Sequence, residues 1–195
     1  MNITQNYILA NNNSNHYNRD IELLARIGAA DEKALELLYH YYYARLFRFV
    51  ARITRKEEII DEVINEVMYV VWKKATSYNH ECQPSTWIFG IAYNKARKAY
   101  LNVSNIMEES LDNLDSNSIF LEESISGIQQ LETDDWLVTA LESLSLDQRA
   151  VIELTYFQGL HYSEIAELME CPENTVKTRM YHARKKLATI LKSMQ

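Results

Sequence analysis

The sequence predicts an all-α protein: two small helical domains joined by a flexible acidic linker. Three observations carry that expectation. Only 4 Gly and 2 Pro occur in 195 residues, too few for the repeated chain reversals of a strand-and-turn architecture. Apolar residues recur at steps of three and four through most of the chain, the period of amphipathic helices. The charge is also unevenly spread. Residues 1–98 hold 13 Lys and Arg against 11 Asp and Glu, and residues 149–195 hold 7 against 5. Residues 99–148 hold 11 acids and no Lys or Arg, so the net charge of −7 belongs to the middle of the chain. Two mildly basic bodies around an acidic segment suit a protein whose flanks meet polyanions.

Taken in order, residues 1–19 are Asn-rich, lack periodicity and read as a disordered tail. A first helix is expected over Asp20 to Ala29, with Ile21, Leu24, Ala25 and Ala29 facing inward. Asp31 is placed to cap the next helix, which runs from Glu32 to about Ile53 on Leu35, Leu38, Tyr39, Tyr42, Leu46, Phe49 and Val50. The Tyr39–Tyr43 cluster could stack on bases, but its helical spacing favours core packing.

Lys56 to Ser77 reads as a strong helix that buries Ile60, Val63, Ile64, Val67, Val70 and Val71. Its other side carries Glu58, Asp61, Glu62, Asn65, Glu66 and Tyr69, a row of carboxylates with few cations between them. Such a face is either solvated or awaits a basic partner. A polar loop, Tyr78 to Ser85, leads into a helix over Thr86 to Leu101. Trp87, Ile88, Ile91, Ala92 and Ala96 face inward, and Asn94, Lys95, Arg97 and Lys98 outward. His80, Glu81 and Cys82 are too few and too close together for a metal site.

These elements delimit a first helical domain over 20–101. Residues 102–135, rich in Ser, Asn, Asp and Glu, read as a linker with short helical turns near Ile119–Leu121. The second domain spans 136–193. Its first clear helix opens at Leu146 and runs to about Tyr156, with Ala150, Val151, Leu154 and Thr155 inward.

The most informative stretch follows. Gly159 to Met169 reads as a short helix, Glu170-Cys171-Pro172 as a tight turn with Pro172 at the first helical position, and Glu173 onward as a longer helix. Val176, Met180, Ala183 and Leu187 form its apolar stripe. Lys177, Thr178, Arg179, Tyr181, His182, Arg184 and Lys185 offer cations and hydrogen-bond donors, and no acid occurs from Asn174 to Lys192. A cationic helix face alone is as often merely solvated. The short helix and turn ahead of it point to a helix-turn-helix whose second helix enters a DNA major groove, cations on phosphates and longer donors on base edges.

Other classes find no support in the residues. Two distant cysteines give no disulfide framework and read as free thiols of a reducing cytosol. No apolar run reaches the length of a membrane span, and the N-terminus lacks the layout of a secretion signal. No catalytic constellation, cofactor motif or metal-ligand spacing stands out, so the protein is expected to be neither an enzyme nor a cofactor binder.

Three blocks together resemble the extracytoplasmic-function group of the sigma-70 family, bacterial sigma factors of RNA polymerase. Asp61-Glu62-Val63-Ile64-Asn65-Glu66-Val67-Met68-Tyr69-Val70-Val71-Trp72 resembles the polymerase-binding helix of region 2. Ser85-Thr86-Trp87-Ile88-Phe89-Gly90-Ile91-Ala92-Tyr93-Asn94 resembles the block behind the −10 reading loop, and the C-terminal helix-turn-helix resembles region 4, which reads the −35 element.

The resemblance implies roles by position. Asp61, Glu62, Asn65 and Glu66 would dock on the clamp coiled coil of the polymerase core. Tyr78, Asn79, His80 and Asn94 would hold a −10 base turned out of the non-template strand. Lys177, Thr178, Arg179, Tyr181, His182 and Arg184 would face the −35 element, and the acidic linker would thread the polymerase near its RNA path. It further implies a cytoplasmic protein, a promoter DNA partner and control by an anti-sigma factor. Departures from the family pattern include His161 in place of a capping Ser, Asn65 for Gln, Asn174 for Gly and His182 for Arg. Two alternatives follow from the residues: a free-standing helix-turn-helix regulator, and a protein-interaction adaptor without DNA binding.

Overall fold

Helix α1 (Ile3–Gly28) and helix α2 (Glu32–Thr54) form a hairpin around a tight reversal. Ala30 adopts the left-handed conformation, φ 63°, and the Ala30 and Asp31 N–H groups donate back to the carbonyls of Ile27 and Arg26. The Asp31 carboxylate then caps α2, accepting from the N–H groups of Lys33 and Ala34 at 3.0 and 3.2 Å and from Arg26 Nε at 2.9 Å. Helix α3 (Ile60–Lys74) is flanked by single 3-10 turns, Glu57–Ile59 and Ala75–Ser77, and helix α4 spans Pro84–Leu111. The computed structural model describes residues 3–111, 140–141 and 143–193, with side chains over 16–102, 140–141 and 143–192.

The core of this first bundle is apolar and aromatic. Leu38, Tyr42, Leu46, Phe49 and Ile53 of α2 meet Ile60, Ile64, Val67 and Val71 of α3 and Ile88, Phe89 and Ala92 of α4. Phe89 stands edge-on to Phe49 with centroids 5.3 Å apart. The Tyr42 hydroxyl is buried and donates to Asp20 Oδ2 at 2.5 Å. Burial raises the Tyr42 pKa, and the Asp20 carboxylate raises it further.

The C-terminal body comprises α5 (Leu146–Ile152), a π-helical turn over Glu153–Phe157, α6 (Tyr162–Leu168) and α7 (Glu173–Ser193). Ser145 caps α5 in a reciprocal box with Gln148. At α6, Glu164 accepts from the His161 N–H at 2.8 Å.

The two bodies pack directly on each other. Gly90 of α4 lies against Leu168 of α6, where an added Cβ would sit 3.5 Å from Leu168 Cγ. Thr86 donates to Glu164 at 2.9 Å and Tyr93 to Asp147 at 2.9 Å. Arg52 pairs with Glu153 at 2.7 Å, and Arg45 donates to Gln158. The buried guanidinium of Arg149 joins the bodies at their seam: it donates to the carbonyls of Leu141 and Leu144 and to that of Arg52 at the C-terminus of α2. The Arg52 carbonyl lies in the last turn of α2, where a cation suits it.

Several expectations need correction. The first helix begins at Ile3 instead of Asp20, so the expected tail is helical from residue 3. No Gly or Pro precedes Gly28, and a helix already anchored by packing propagates cheaply into residues of modest propensity. Its buried positions are Asp20, Leu23, Leu24 and Ile27; Ala25 and Ala29 are exposed and Ile21 is half-buried. In α3 Met68 is buried and Val70 half-buried. Helix α4 continues through residues 102–111, past the expected start of the linker. Pro172 directly precedes α7 instead of opening it, its carbonyl accepting from the Thr175 N–H at 2.8 Å. Residues 112–135 of the linker, the turns near Ile119–Leu121, and residues 136–139 and 142 of the second domain lie outside the described residues.

Candidate nucleic-acid and polymerase interfaces

Helix α3 directs its two sides differently because its apolar residues repeat at helical spacing. Ile60, Val63, Ile64, Val67, Met68 and Val71 are buried, and Asp61, Glu62, Asn65, Glu66 and Tyr69 are exposed on the opposite side. The carboxylate row is partly engaged. Asp61 accepts from the Tyr43 hydroxyl at 2.8 Å, which pushes the Tyr43 pKa up to about 12. Glu66 pairs with Lys95 of α4 at 2.8 Å. The Asp61 contact is solvent-exposed and the Glu66 pair partly so, and either costs little to exchange for a cation of a partner.

The loop before α4 is built around Tyr78. Its ring is 7 % exposed and lies 5.4 Å from Trp87 and 4.7 Å from His80; its hydroxyl donates to the Cys82 carbonyl. Tyr78 therefore shapes the loop from within instead of offering a free ring face. Asn79 and His80 are exposed. Asn79 Oδ1 accepts from the Glu81 N–H at 3.2 Å, and His80 takes φ 61° at the turn. Asn94 is exposed on α4, seven residues beyond Trp87. Two helical turns, about 10 Å, separate it from Trp87, and about 15 Å separate it from the loop end of the helix at Pro84. Across a cavity of about 340 Å³ the loop residues His80, Glu81, Cys82 and Gln83 face Ser163, Glu164 and Glu167 of the other body. Among the described residues no His, Cys, Asp and Glu cluster is arranged to hold a metal ion.

In α7, Val176, Met180 and Ala183 are buried, and this stripe leaves Lys177, Thr178, Tyr181, His182 and Arg184 exposed. Lys177 pairs with Glu173 at 2.8 Å, Thr178 donates to the Asn174 carbonyl, and Tyr181 is 62 % exposed, edge-on to His182. Arg179 differs from its neighbours. It is half-buried, paired with Asp147, and its Nη1 approaches Cys171 Sγ at 3.5 Å. Asp147 in turn accepts from Tyr93, so Arg179 fastens α7 to its own body and, through Asp147, to α4. The periodicity held the clue: position 179 borders the stripe of 176, 180 and 183.

Sequence reasoning assigned no role to Arg45, Arg52, Glu153 and Gln158, which join the two bodies. The regular spacing of the arginines on α2 was the available signal.

Family models cover both bodies. Sigma-70 region 2 matches residues 38–104, and Sigma-70, region 4 matches residues 134–187. The paired domains thus define a sigma-70-type protein. The ECF RNA polymerase sigma-E factor of Escherichia coli K12 is 31% identical over 176 residues, 85% of this chain and 90% of that protein. The sigma-E factor of Haemophilus influenzae is 28% identical over 174 residues, 85% of this chain and 91% of that protein. The chain belongs to the ECF family of RNA polymerase sigma factors.

Two solved structures share the fold. CnrH, in complex with the cytosolic domain of CnrY, aligns with a TM-score of 0.67 at 19% identity, covering 91% of this chain and 99% of that one. The Bartonella quintana sigma factor RpoE, in complex with the anti-sigma factor NepR, aligns with a TM-score of 0.64 at 24% identity, covering 82% and 98%.

Proposed function

We propose that this chain binds the RNA polymerase core and directs promoter-specific initiation without catalysis of its own. The acidic side of α3, with Asp61, Glu62, Asn65 and Glu66, docks on the basic clamp coiled coil. Asn79 and His80 in the loop and Asn94 on α4 meet the −10 strand, with Tyr78 supporting the loop from beneath. Lys177, Thr178, Tyr181, His182 and Arg184 read the −35 duplex and its phosphates, while Arg179 holds the helix in register. The observation that carries this reading is the pairing of an outward acidic face on one body with an outward cationic helix on the other. Charge complementarity of that kind selects a basic protein partner and a polyanion.

The chain acts in the cytoplasm, where the polymerase is. Among the described residues, no helix is long and apolar enough to cross a membrane. An anti-sigma factor holds the protein inactive; the fold shared with RpoE, solved in complex with the anti-sigma factor NepR, supports this part of the reading. Run-off transcription with purified core polymerase tests the whole. Promoter-specific transcripts are expected only when the chain is added. A free-standing regulator would bind duplex without enabling core enzyme to initiate, and an adaptor would do neither.

A further inference from the structure

Three arginines, Arg45, Arg48 and Arg52, follow one another along α2 at steps of three and four residues, on one side of the helix. Like charges so spaced repel and weaken the helix that carries them. Among the described residues, the second body meets this stripe with one carboxylate, that of Glu153. Glu153, 1 % exposed, accepts from Arg52 Nη1 through both oxygens, at 2.8 and 2.7 Å. The Phe157 ring lies 4.2 Å from the Arg52 guanidinium, and Gln158 Oε1 accepts two hydrogen bonds from Arg45 at 3.1 and 2.8 Å. Arg48 is exposed and donates to the Ala44 carbonyl; among the described residues it has no carboxylate partner. An anionic oxygen at the guanidinium edge and an aromatic ring at its face are what a nucleic-acid strand offers arginine.

We propose that Arg45, Arg48 and Arg52 form a phosphodiester-binding stripe, which the second body covers with Glu153, Phe157 and Gln158 while docked and yields to promoter DNA when the bodies separate. This rests on the reading of the chain as a subunit that grips two promoter elements. Those elements lie about 25 base pairs apart, roughly 85 Å at 3.4 Å per pair. A docked chain of this length has a radius of gyration of about 16 Å, so the bodies must part to reach both. Parting removes Glu153 and leaves three cations facing solvent. The stripe borders α4, the helix that carries Asn94: the Arg45 guanidinium lies 5.0 Å from the ring of Phe89. Burial pushes the Glu153 carboxyl up in pKa and Arg52 draws it back, so the cover is held by the pair and not by the carboxylate alone.

The test measures binding of the full-length chain to a fluorescein-labelled single-stranded 20-mer and to the same sequence as duplex, by anisotropy at several salt concentrations. The double variant Glu153→Ala/Gln158→Ala is expected to bind severalfold more tightly than the unmodified chain and with a steeper salt dependence. Adding Arg52→Ala removes the gain and flattens the slope by about 0.7 for each phosphate no longer neutralised on the single strand. Arg52→Lys, which keeps the charge, restores the slope. Arg48→Ala needs no unmasking and touches no core residue; in the unmodified background it lowers the slope on its own.

Two results overturn the inference. One is an uncovered variant with unchanged affinity and slope. The other is a set of arginine variants that weaken core-polymerase binding while DNA binding stays intact, which assigns the stripe to an acidic protein surface. Normal run-off transcription alongside either result leaves the proposed function standing, whereas absence of transcription by the unmodified chain strikes that function itself.

Discussion

Lys177 offers the sharpest test of the proposal that α7 reads DNA. Its ammonium lies 2.8 Å from Glu173 Oε1, one helical turn back, with both side chains about half exposed. An exposed pair at this spacing contributes about 0.3–0.5 kcal/mol, and Ala is the better helix former, so Lys177→Ala should leave thermal stability nearly unchanged. DNA affinity should respond much more strongly. If the ammonium reads a base edge, its removal costs about 1–3 kcal/mol, roughly 5- to 150-fold, and relaxes specificity at one position of the −35 element. If it neutralises a phosphate, its removal weakens every duplex alike and lowers the salt slope by about 0.9. Glu173→Gln frees the ammonium from its partner and should tighten duplex binding by about twofold, the energy of the broken pair. The assay is anisotropy titration of a −35 duplex and a scrambled duplex at four salt concentrations, with circular dichroism to check the helix. A Lys177→Ala chain with unchanged affinity, specificity and slope would refute the assignment of this face.

Asp61→Arg should leave urea stability within about 0.5 kcal/mol, because the site is exposed. It should cost about 3 kcal/mol of core-polymerase affinity, on the order of 100-fold, by setting like charges together; unchanged affinity in a gel-filtration or fluorescence assay would remove α3 from the interface. Phe49→Ala should destabilise the chain by about 3–5 kcal/mol in urea unfolding, since the ring is fully buried edge-on to Phe89. Asp31 is held below the usual carboxylate range, first by its hydrogen bond from Arg26 and then by that from the Ala34 N–H. A pKa lowered on folding contributes stability that is complete above the unfolded value and lost as pH falls through the folded one. Asp31→Asn keeps a capping oxygen but drops that linkage, so its urea midpoint should fall less steeply than the parent's between pH 5 and pH 3; parallel curves would exclude the carboxylate as a source of acid sensitivity.

Both helix-rich bodies were legible wherever one turn of chain specifies its own environment. In α2, Asp31 announces the start, and Leu38, Tyr42, Leu46 and Phe49 repeat at the period that buries one side. The exposed acids of α3 and the exposed cations of α7 followed from the same rule. Legibility failed where small apolar residues blur the period. Ala25 and Ala29 fit an inner face of α1 by spacing, yet Leu23 and Ile27 are buried there instead, two positions away in each case. It failed also for Tyr78 and Arg179, whose orientations depend on Trp87 and Cys82 in one case and Asp147 in the other.

Local chemistry along the chain determined the helices, their polar faces and the family to which they belong, because periodicity and caps act within a few residues. Only the tertiary structure decided that the bodies dock, that Arg149 closes the end of α2, and that Glu153 covers the arginines of α2. The last two each pair residues about a hundred positions apart through a charged side chain. One such contact leaves no repeating pattern behind, so its partner becomes identifiable only when the folded chain brings the two side chains within hydrogen-bonding distance.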